Sequence, residues 1–266
     1  MLALLIALAI QGGAPDPGAI DPVKENAAVV AAAKDKASKA LAFKAAYSMI
    51  ESDSVKDSSV GSNGTILVRF TPADAKKKLP AAWAVAIDDG GVMDQDETKF
   101  KASFGPKSLL TVWPAKKEGE QIDPAKDKTL RYWPLLGTPF GELLKDYDAK
   151  LVRLATKYEL SKTPKSSQGG ESNTDEEAKR IGKPSFDGWR SHIYLLTPKN
   201  AAVAAQCKKI SVSVDMEHYL LTRVELDWKG DGMKKSSINL KEVDVVATLD
   251  DASFTLDTTG YKITKK

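Results

Sequence analysis

The side chains best suited to acid–base chemistry are four pairs of closely spaced carboxylates. They are Asp88/Asp89, Asp94/Asp96, Glu176/Glu177 and Asp250/Asp251. Two carboxylates held side by side can serve as general acid and general base. All four pairs fall in stretches predicted to be turns or loops, where acidic residues are favoured for backbone reasons. The sequence therefore predicts no enzyme, and a hydrolase that uses Asp88 and Asp89 stays open only as a rival hypothesis.

Nucleophilic and metal chemistry have few candidate residues. The chain has one cysteine, Cys207, and two histidines, His192 and His218. A single cysteine cannot form a disulfide framework, and we expect it to be a buried thiol. Two histidines that lie in or beside predicted strands do not suggest a zinc site. The sequence contains no nucleophile elbow, phosphate-binding loop or zinc-protease motif, so no cofactor or metal is expected.

The composition is that of a globular chain with balanced charge. Of 266 residues, 42% are hydrophobic and 28% are charged, and 39 basic against 36 acidic residues give a net charge of +3. This length suffices for one large domain, or two small ones, with a buried core. The lysines are scattered and only 7% of the residues are aromatic, so the sequence does not favour binding to nucleic acid.

An apolar run near the N-terminus predicts export. Residues 2–10 are uninterrupted apolar residues, and the short sequence QGGA follows them. This pattern is typical of a secretory signal peptide that is cleaved after Ala14. We therefore expect residues 1–14 to be a signal peptide and the mature protein to be soluble in the periplasm. No cysteine lies near the cleavage site, which argues against a lipid-anchored lipoprotein.

The most regular pattern lies between residues 191 and 256. Four segments there alternate apolar and polar residues, as strands with one buried and one wet face do: 191–196, 209–215, 219–228 and 236–246. Turn residues separate them, most clearly KGDG at 229–232. Further strands are predicted upstream at 64–70, 81–88, 92–101, 108–113 and, weakly, 129–133. The pattern predicts a wide antiparallel sheet with one apolar face.

Two helices are predicted to cover that face. Residues 23 to about 49 are rich in alanine and lysine and predict one long amphipathic helix, or one broken near Ala37. A polar, turn-like stretch follows at 51–63. Thr138 and Pro139 predict the start of a second helix at 140–150, with helix or strand at 151–160.

The predicted fold class is α+β, because helices are few and segregated from the strands. Residues 15–63 are expected to form a linker and the N-terminal helix, and residues 64–266 to form one domain together with it. Within that domain, residues 161–184 are rich in Ser, Gly, Lys and Glu and are predicted to be a flexible insertion.

An apolar sheet face under a helical cover has two interpretations. Its side chains can fill an ordinary core, or, if the sheet curls, they can line a cavity for an acyl chain. At about 0.8 kcal/mol per buried CH₂ group, sheltering one long acyl chain contributes on the order of 10 kcal/mol. A water-soluble lipid carrier needs most of that free energy to hold its cargo outside a membrane. The pattern alone leaves both interpretations open.

Several segments, taken in order, resemble the LolA-type outer-membrane lipoprotein carriers. Residues 193–199 (IYLLTPK), followed by 208–215 (KKISVSVD), are similar to the family's L-x-P-K segment and the strand after it. Residues 224–232, 237–243 and 251–256 continue the similarity. GTPF at 137–140, with Leu143 and Leu144, is similar to the start of a family helix.

The resemblance implies an incomplete, strongly curved antiparallel β-barrel with helices capping its concave apolar face. It also implies a monomeric periplasmic carrier that moves lipoprotein acyl chains, or another lipid, from an inner-membrane ABC transporter to an outer-membrane acceptor. In the family an arginine on an early strand holds the lid closed, and Arg69 is the nearest match. The chain departs from the family at residues 73–79, which interrupt the motif after Arg69, and in its C-terminal ending, which lacks the family's prolines.

On this hypothesis the lipid-binding residues are the larger apolar residues of the alternating strands. They are Ile66, Val68, Trp83, Val85, Ile87, Leu109, Leu195, Val224, Leu226 and Trp228. The lid candidates are Arg69, Phe140, Leu143 and Leu144. A rival hypothesis is an envelope sensor or adaptor of the same architecture, which binds a protein or a stray lipoprotein without transporting it.

Overall fold

One sheet of twelve strands dominates the fold. The computed structural model describes residues 22–53, 58–92, 95–124, 126, 132–153, 191–229 and 234–266. The strands are β1 (Leu41–Asp53), β2 (Ser58–Thr71), β3 (Ala82–Gly91), β4 (Phe100–Gly105), β5 (Ser108–Trp113), β6 (Glu118–Ile122), β7 (Tyr147–Arg153), β8 (Ser191–Pro198), β9 (Cys207–Asp215), β10 (Leu221–Trp228), β11 (Lys234–Val246) and β12 (Lys262–Lys265).

The strand order is β12-β6-β5-β4-β3-β2-β1-β11-β10-β9-β8-β7. Every neighbouring pair is antiparallel except β6 and β12, which are parallel. Among the described strands the sheet does not close on itself, since β12 and β7 are the first and last in this order. The predicted α+β fold with a wide, unclosed, mainly antiparallel sheet is confirmed.

The described α-helices are short. They are α1 (Pro22–Ala37), α2 (Tyr132–Gly137), α3 (Phe140–Leu143) and α4 (Ala201–Ala204). The buried side chains of α1, α2 and α3 share one apolar core with one face of the sheet, which we call the inner face. Among the described helices, none is both long and apolar enough to cross a membrane.

Alternation within each strand puts rows of apolar side chains on the inner face. One row runs from β1 to β5 through cross-strand partners: Phe43, Val68, Val85, Phe104 and Leu109. A second row runs from β1 in the other direction to β7: Met49, Ile238, Val224, Val212, Tyr194 and Leu151. Each strand from β5 to β7 in the sheet order therefore contributes at least one apolar side chain to the inner face.

The sheet bends around α2. This helix contacts β2, β3 and β10, although β1 and β11 lie between β2 and β10 in the sheet. With strands about 4.8 Å apart, a flat sheet would place β3 and β10 about 19 Å from each other. A helix of six residues is only about 9 Å long. Contact with both strands therefore requires a concave inner face.

The long helix predicted from residue 23 to about 49 is wrong in its second half. α1 ends at Ala37, and the chain continues as β1, which pairs with β2 on one side and β11 on the other. Phe43, Ala45 and Tyr47 are buried in alternation, whereas Lys44 is exposed. β1 forms backbone hydrogen bonds with a strand on each side. This tertiary pairing overrides the helix propensity of its alanines, which is only a weak preference.

Shorter predicted elements also differ from the structure. The turn-like stretch 51–63 contains the end of β1 and the start of β2. In the predicted weak strand at 129–133, the described residues Tyr132 and Trp133 belong instead to α2. The helix predicted at 140–150 ends after one turn, because the residues from Tyr147 onward form β7 and pair with β8. The strand predicted at 92–101 begins only at Phe100, after a 3₁₀ turn at Asp96–Thr98.

The C-terminal prediction is confirmed as β8, β9, β10 and β11, with the one-turn helix α4 added between β8 and β9. The strands predicted at 64–70, 81–88 and 108–113 lie within β2, β3 and β5. The predicted signal peptide (1–14) and flexible insertion (161–184) lie outside the described residues.

The C-terminal segment crosses the outer face of the sheet. After β11, the 3₁₀ turn Asp251–Phe254 contacts β3, and Ser103 of β4 donates its hydroxyl to the Phe254 carbonyl. β12 then pairs with β6, and the Lys266 N–H donates to the Gln121 carbonyl at 2.9 Å. This segment therefore fastens the β6 edge to the body of the sheet.

Candidate functional site

Most of the predicted lipid-binding residues lie on the inner face. Those that are buried there are Ile66, Val68, Val85, Ile87, Leu109, Val224 and Leu226, and Trp83 and Trp228 are half-buried against the same core. Leu195 is different, because it pairs with Ser211 and lies between the inward residues Tyr194 and Leu196. It therefore belongs to the outer face.

α2 is held firmly by aromatic contacts to β1 and β4. The Trp133 ring stacks on Phe104, with centroids 5.2 Å apart, and meets the Tyr47 ring edge-on at 6.1 Å. Gly137 at the other end of the helix leaves no room, since a Cβ there would lie 3.0 Å from Val85. Aromatic pairs of this kind add about 0.5–1.5 kcal/mol each beyond their burial. We therefore regard α2 as a fixed plug.

The predicted lid residues Phe140, Leu143 and Leu144 lie in or beside α3. Phe140 and Leu143 are buried, and the Phe140 ring is 4.7 Å from that of Tyr194 on β8. Leu144 is half-buried just after the helix. α3 therefore covers the β8 side of the inner face, opposite the side that α2 fills.

α1 lies on α3 at a crossing that admits no side chain. A Cβ on Gly141 would lie only 2.1 Å from the Ala33 carbonyl oxygen. Glycine is required here because only hydrogen fits between the two backbones. Among the α1 side chains that the structure describes, Val29, Ala33 and Ala37 are buried. We call α1 and α3 together the helical cover.

A turn between β9 and β10 fastens one end of α3. The Phe140 N–H donates to the Tyr219 carbonyl at 3.2 Å. Tyr219 has a left-handed backbone, with φ of 57°. The turn is built on Asp215, whose fully buried carboxylate accepts from the N–H groups of Glu217 (2.9 Å), His218 (2.7 Å) and Leu220 (2.7 Å). Burial raises the pKa of the Asp215 carboxyl, and these hydrogen bonds oppose that rise.

Lys199 fastens the other end of α3. Its Nζ donates to the carbonyls of Leu144 at 2.9 Å and Lys145 at 3.0 Å. A cation suits this place, because carbonyl groups at the end of a helix lack intrahelical donors. Polar contacts thus hold both ends of α3, and the buried side chains of Phe140 and Leu143 hold the helix between them.

The structure joins Arg69 to the C-terminal segment on the outer face. Its guanidinium donates to the Leu249 carbonyl at 3.0 Å, forms an ion pair with Asp251 at 2.6 Å and lies 4.7 Å from the centre of the Phe254 ring. The contact with the lid that the family resemblance implied is therefore not the one that the structure shows. Arg69 is on β2, at a position whose side chain points away from the helical cover.

Replacing Arg69 by leucine is expected to loosen the C-terminal segment and to leave the helical cover in place. One carbonyl hydrogen bond, a cation–π contact and an exposed ion pair together contribute about 1–2 kcal/mol. Hydrogen exchange should speed up in residues 247–266 and stay unchanged in α3. Arg223→Leu is the control, because Arg223 pairs with Glu225 on the same strand. Faster exchange in α3 would restore the lid role to Arg69.

The inner face has an open end beyond α2. A cavity of about 460 Å³ lies there, lined by Glu51, Ser52, Asp53, Ser58, Val60, Trp228, Lys234, Lys235 and Ser236. Glu51 continues the series of β1 positions whose side chains point toward the inner face. Its cross-strand partner on β2, Val60, is nevertheless 59% exposed. Tyr132, the first residue of α2, is buried, and its hydroxyl interacts with the side chains of Ser236 and Glu51, which line this cavity.

The residues considered for chemistry are dispersed. Asp88 pairs with Lys101 at 2.8 Å, and Asp251 pairs with Arg69. Burial raises the pKa of the Cys207 thiol to about 11, which makes it a poor nucleophile at neutral pH. Within the described ranges, no three His, Cys, Asp or Glu side chains are grouped to hold a metal ion. Asp94, Glu176 and Glu177 lie outside the described residues.

Sequence reasoning missed several residues that shape the site. Phe43 and Tyr47 lie in the stretch predicted as helix, although their spacing with Ala45 alternates as in a strand. Tyr132 and Trp133 were placed in a weak strand rather than in the plug helix. Asp215 and Gly141 carry no pattern of their own, because their importance depends on what lies opposite them in the fold.

Together these features define an open half-barrel with an apolar concave face and a helical cover. No family model and no curated protein matches the chain. Similar solved structures include a LolA superfamily protein from Nitrosomonas europaea (11% identity, 86% of this chain and 97% of that one, TM-score 0.40). A putative outer membrane lipoprotein-sorting protein domain from Vibrio parahaemolyticus is similar at 12% identity, over 85% of this chain and 94% of that one, with a TM-score of 0.40.

A third similar structure is the MucA/MucB complex of Pseudomonas aeruginosa. The match covers 90% of this chain, with 9% sequence identity and a TM-score of 0.39. This chain spans 63% of the length of the MucB chain.

Proposed function

We propose that this protein is a periplasmic carrier that holds the acyl chain of a lipoprotein, or of another lipid, on its inner face. The observation that carries this proposal is the attachment of the helical cover. An apolar face lies beneath α3, a helix of one turn that polar contacts fix at Tyr219 and Lys199. Separation of this cover would expose a ready-made apolar surface while α2 and the sheet stay in place.

The energetics of exchange favour this arrangement. Opening the cover removes Val29, Phe140 and Leu143 from the core, at a cost of about 1.5–3 kcal/mol for each side chain. A long acyl chain that takes their place contributes on the order of 10 kcal/mol, at about 0.8 kcal/mol per CH₂ group. An empty carrier therefore stays closed, and a loaded one stays open. Binding and release require no bond to be made or broken.

In this role the carrier works as a monomer between two membranes. It takes the acylated cargo from an inner-membrane ABC transporter and delivers it to an outer-membrane acceptor. The detachable cover supports such a transfer, because cargo held by apolar contacts alone can pass to a second apolar surface without a chemical step.

Native mass spectrometry of protein purified from its own envelope without detergent tests the proposal. A bound mass that dissociates as an acylated peptide or a lipid would support a carrier and would identify the cargo. A ligand-free mass, together with no uptake of a fluorescent fatty-acid probe, would contradict it. Bound cargo that stays with the protein when outer-membrane vesicles are added would favour the sensor or adaptor instead.

Arginine at Val60 is expected to slow the uptake of a fluorescent fatty acid by about tenfold. An acyl chain that passes the open end must desolvate part of the new guanidinium, and roughly 1–3 kcal/mol is typical for a buried polar group without a partner. Val152→Arg is the matched control, because Val152 is also an exposed strand valine (57% against 59%) but lies on the edge strand β7. Stopped-flow fluorescence measures both rates, and equal slowing in the two variants would place entry elsewhere.

A further inference from the structure

The connection between β2 and β3 is a charged loop that the proposed function does not use. Residues 72–81 have the sequence PADAKKKLPA, with three lysines against one aspartate. Asp74 and Leu79 form a β-bridge, with backbone N–H···O distances of 2.9 and 3.0 Å in the two directions. The Asp74 carboxylate also accepts from the N–H groups of Lys76 and Lys77, at 3.0 and 3.1 Å. These bonds fold the loop into a compact turn, and we call residues 72–81 the lysine loop.

The lysine loop presents its charges and one leucine to solvent. The side chains of residues 75–80 are all exposed, and Leu79 is 56% exposed. Lys77 pairs with Asp74 at 3.6 Å, and three lysines less one aspartate leave the loop a net charge of +2. Lys78 has a left-handed backbone, with φ of 54°, which glycine would adopt at a lower cost. The tip of the loop therefore combines positive charge with exposed apolar surface.

The end of the helical cover adds positive charge beside the loop. A cavity of about 470 Å³ lies between them, and the residues that line it are Lys34, Ala37, Ser38, Pro72, Ala73, Gly141, Glu142, Leu144 and Lys145. Glu142 pairs with Lys145 at 2.6 Å, and Asp35 on α1 pairs with Lys39 at 3.4 Å. The charges in each of these pairs cancel, so Lys34 adds its own charge to that of the loop. The loop and the end of the cover thus form one surface of net positive charge.

We propose that the lysine loop docks the protein on an anionic lipid bilayer. The lysines lie at the phosphate groups of the lipids, and Leu79 inserts just below them among the acyl chains. Each lysine near an anionic bilayer strengthens binding by roughly fivefold, and an apolar side chain beside it adds to the affinity. The exposed leucine favours a bilayer over an acidic protein surface, because a bilayer accepts the charge and the apolar group together without a matching pocket.

Docking in this way goes beyond the proposed carrier function, because it needs no cargo. It brings the end of the helical cover to the bilayer surface, since the loop and the cover line one cavity. The loop follows the pairing of Leu41 with Phe70, whereas the open end lies at the other ends of β1 and β2, where Asp53 pairs with Ser58. A docked chain therefore keeps its open end accessible.

Co-sedimentation with lipid vesicles tests the docking. We expect the wild type to bind vesicles that contain phosphatidylglycerol but not vesicles of phosphatidylcholine alone. High salt should release it, because salt screens exposed charges. The combined substitutions Lys76→Gln, Lys77→Gln and Lys78→Gln should weaken binding by roughly 100-fold, at about fivefold per lysine.

A second triple variant is the matched control for charge. It replaces by glutamine three exposed lysines at the opposite ends of the strands: Lys116, Lys208 and Lys209. Its net charge equals that of the loop variant, and it should bind within about threefold of the wild type, because screening limits the effect of a charge to about 10 Å. Equal weakening in the two triple variants would overturn the assignment of the loop.

Two single substitutions separate charge, insertion and stability. Lys78→Gly removes one charge and suits the left-handed backbone, so binding should weaken about fivefold with no loss of Tm. Leu79→Ser should also weaken binding about fivefold. Val152→Ser should not, although Val152 on the edge strand β7 is as exposed as Leu79, at 57%. Equal binding by all three variants and the wild type would overturn the proposed contact.

Uptake of a fluorescent fatty acid from solution keeps this test separate from the carrier proposal, since every loop variant should match the wild type there. Failure of the wild type to bind phosphatidylglycerol vesicles would overturn the docking, whatever the fatty-acid result, and would indicate an acidic protein surface as the partner. Equal binding of the wild type to phosphatidylcholine vesicles would overturn it too, because the lysines would then have no role.

Discussion

Replacement of Gly141 by alanine is expected to separate α1 from α3 and to cost about 3 kcal/mol of stability. The new methyl group would lie 2.1 Å from the Ala33 carbonyl oxygen and 2.4 Å from its carbon. Both are backbone atoms, so no side-chain rotation can relieve the overlap. Denaturant unfolding measures the loss, and hydrogen exchange should show α1 unprotected while the sheet stays protected.

Gly61→Ala is the matched control for this change. Gly61 lies on β2, and the nearest atom to a Cβ there is the Met49 carbonyl oxygen at 3.9 Å. We expect this variant to stay within about 0.5 kcal/mol of the wild type. If Gly141→Ala were as stable as Gly61→Ala and α1 stayed protected, the two helices would not cross as described, and the cover could not be a single unit.

Gly141→Ala also separates the two interpretations of the inner face. If the cover gates a binding surface, the variant should take up a fluorescent fatty acid faster than the wild type and release it faster. If the face is an ordinary core, the variant should only be less stable. A stability loss without any change in uptake would therefore count against the carrier.

Replacement of Asp215 by alanine is expected to cost about 3 kcal/mol or more, because the N–H groups of Glu217, His218 and Leu220 lose their acceptor together. The Tyr219 backbone, held at φ of 57°, would relax, and the Phe140 N–H would lose the carbonyl that it donates to. Exchange at α3 should rise even where the rest of the sheet is unaffected. Urea unfolding and hydrogen exchange measure the two effects.

Asp257→Ala is the control for Asp215→Ala. Asp257 also accepts a backbone N–H, that of Thr259 at 2.9 Å, but it is exposed and far from the cover. We expect it to be nearly neutral. A comparable loss in both variants would show that any turn aspartate matters equally and that the β9–β10 turn has no special hold on α3.

Asp215 should also give a pH dependence of defined sign. Its folded pKa lies above the ordinary value of 3.8, since burial disfavours the charged form. At pH values between 3.8 and the folded pKa, the folded state binds more protons at Asp215 than the unfolded state does. The contribution of this carboxyl to stability is therefore full below 3.8 and is lost as the pH rises through the folded pKa. Wild type should lose stability over this interval relative to Asp215→Asn.

The strands that the sequence predicted well are those with strict alternation between clear turns. Ile210, Val212 and Val214 are buried in β9 as their spacing indicates. The same reasoning placed most of the candidate lipid-binding residues on the inner face. It placed Leu195 on the wrong side because residues 193–196 are apolar throughout, so only the register with β9 decides that Tyr194 and Leu196 point inward.

The elements that the sequence did not predict depend on distant partners. β1 has the alanine and lysine content of a helix, and it is a strand because β11 pairs with it from the other end of the chain. The attachment of the cover is equally remote from local pattern. Asp215 could be recognised as a turn residue, but only the fold brings the Tyr219 carbonyl to Phe140 and Ala33 to Gly141.

The pairing of β1 with β11 has a consequence for how the chain acquires its structure. Synthesis proceeds from the N-terminus, so β1 can join β2 early, whereas Ala42 must wait for Val246. Until then β1 is a temporary edge that presents Phe43 and Tyr47, and such edges are prone to aggregation. Contacts between such distant residues also slow folding. The pairing between β1 and β11, in the middle of the sheet, therefore forms late, and a nascent chain needs protection there for most of its synthesis.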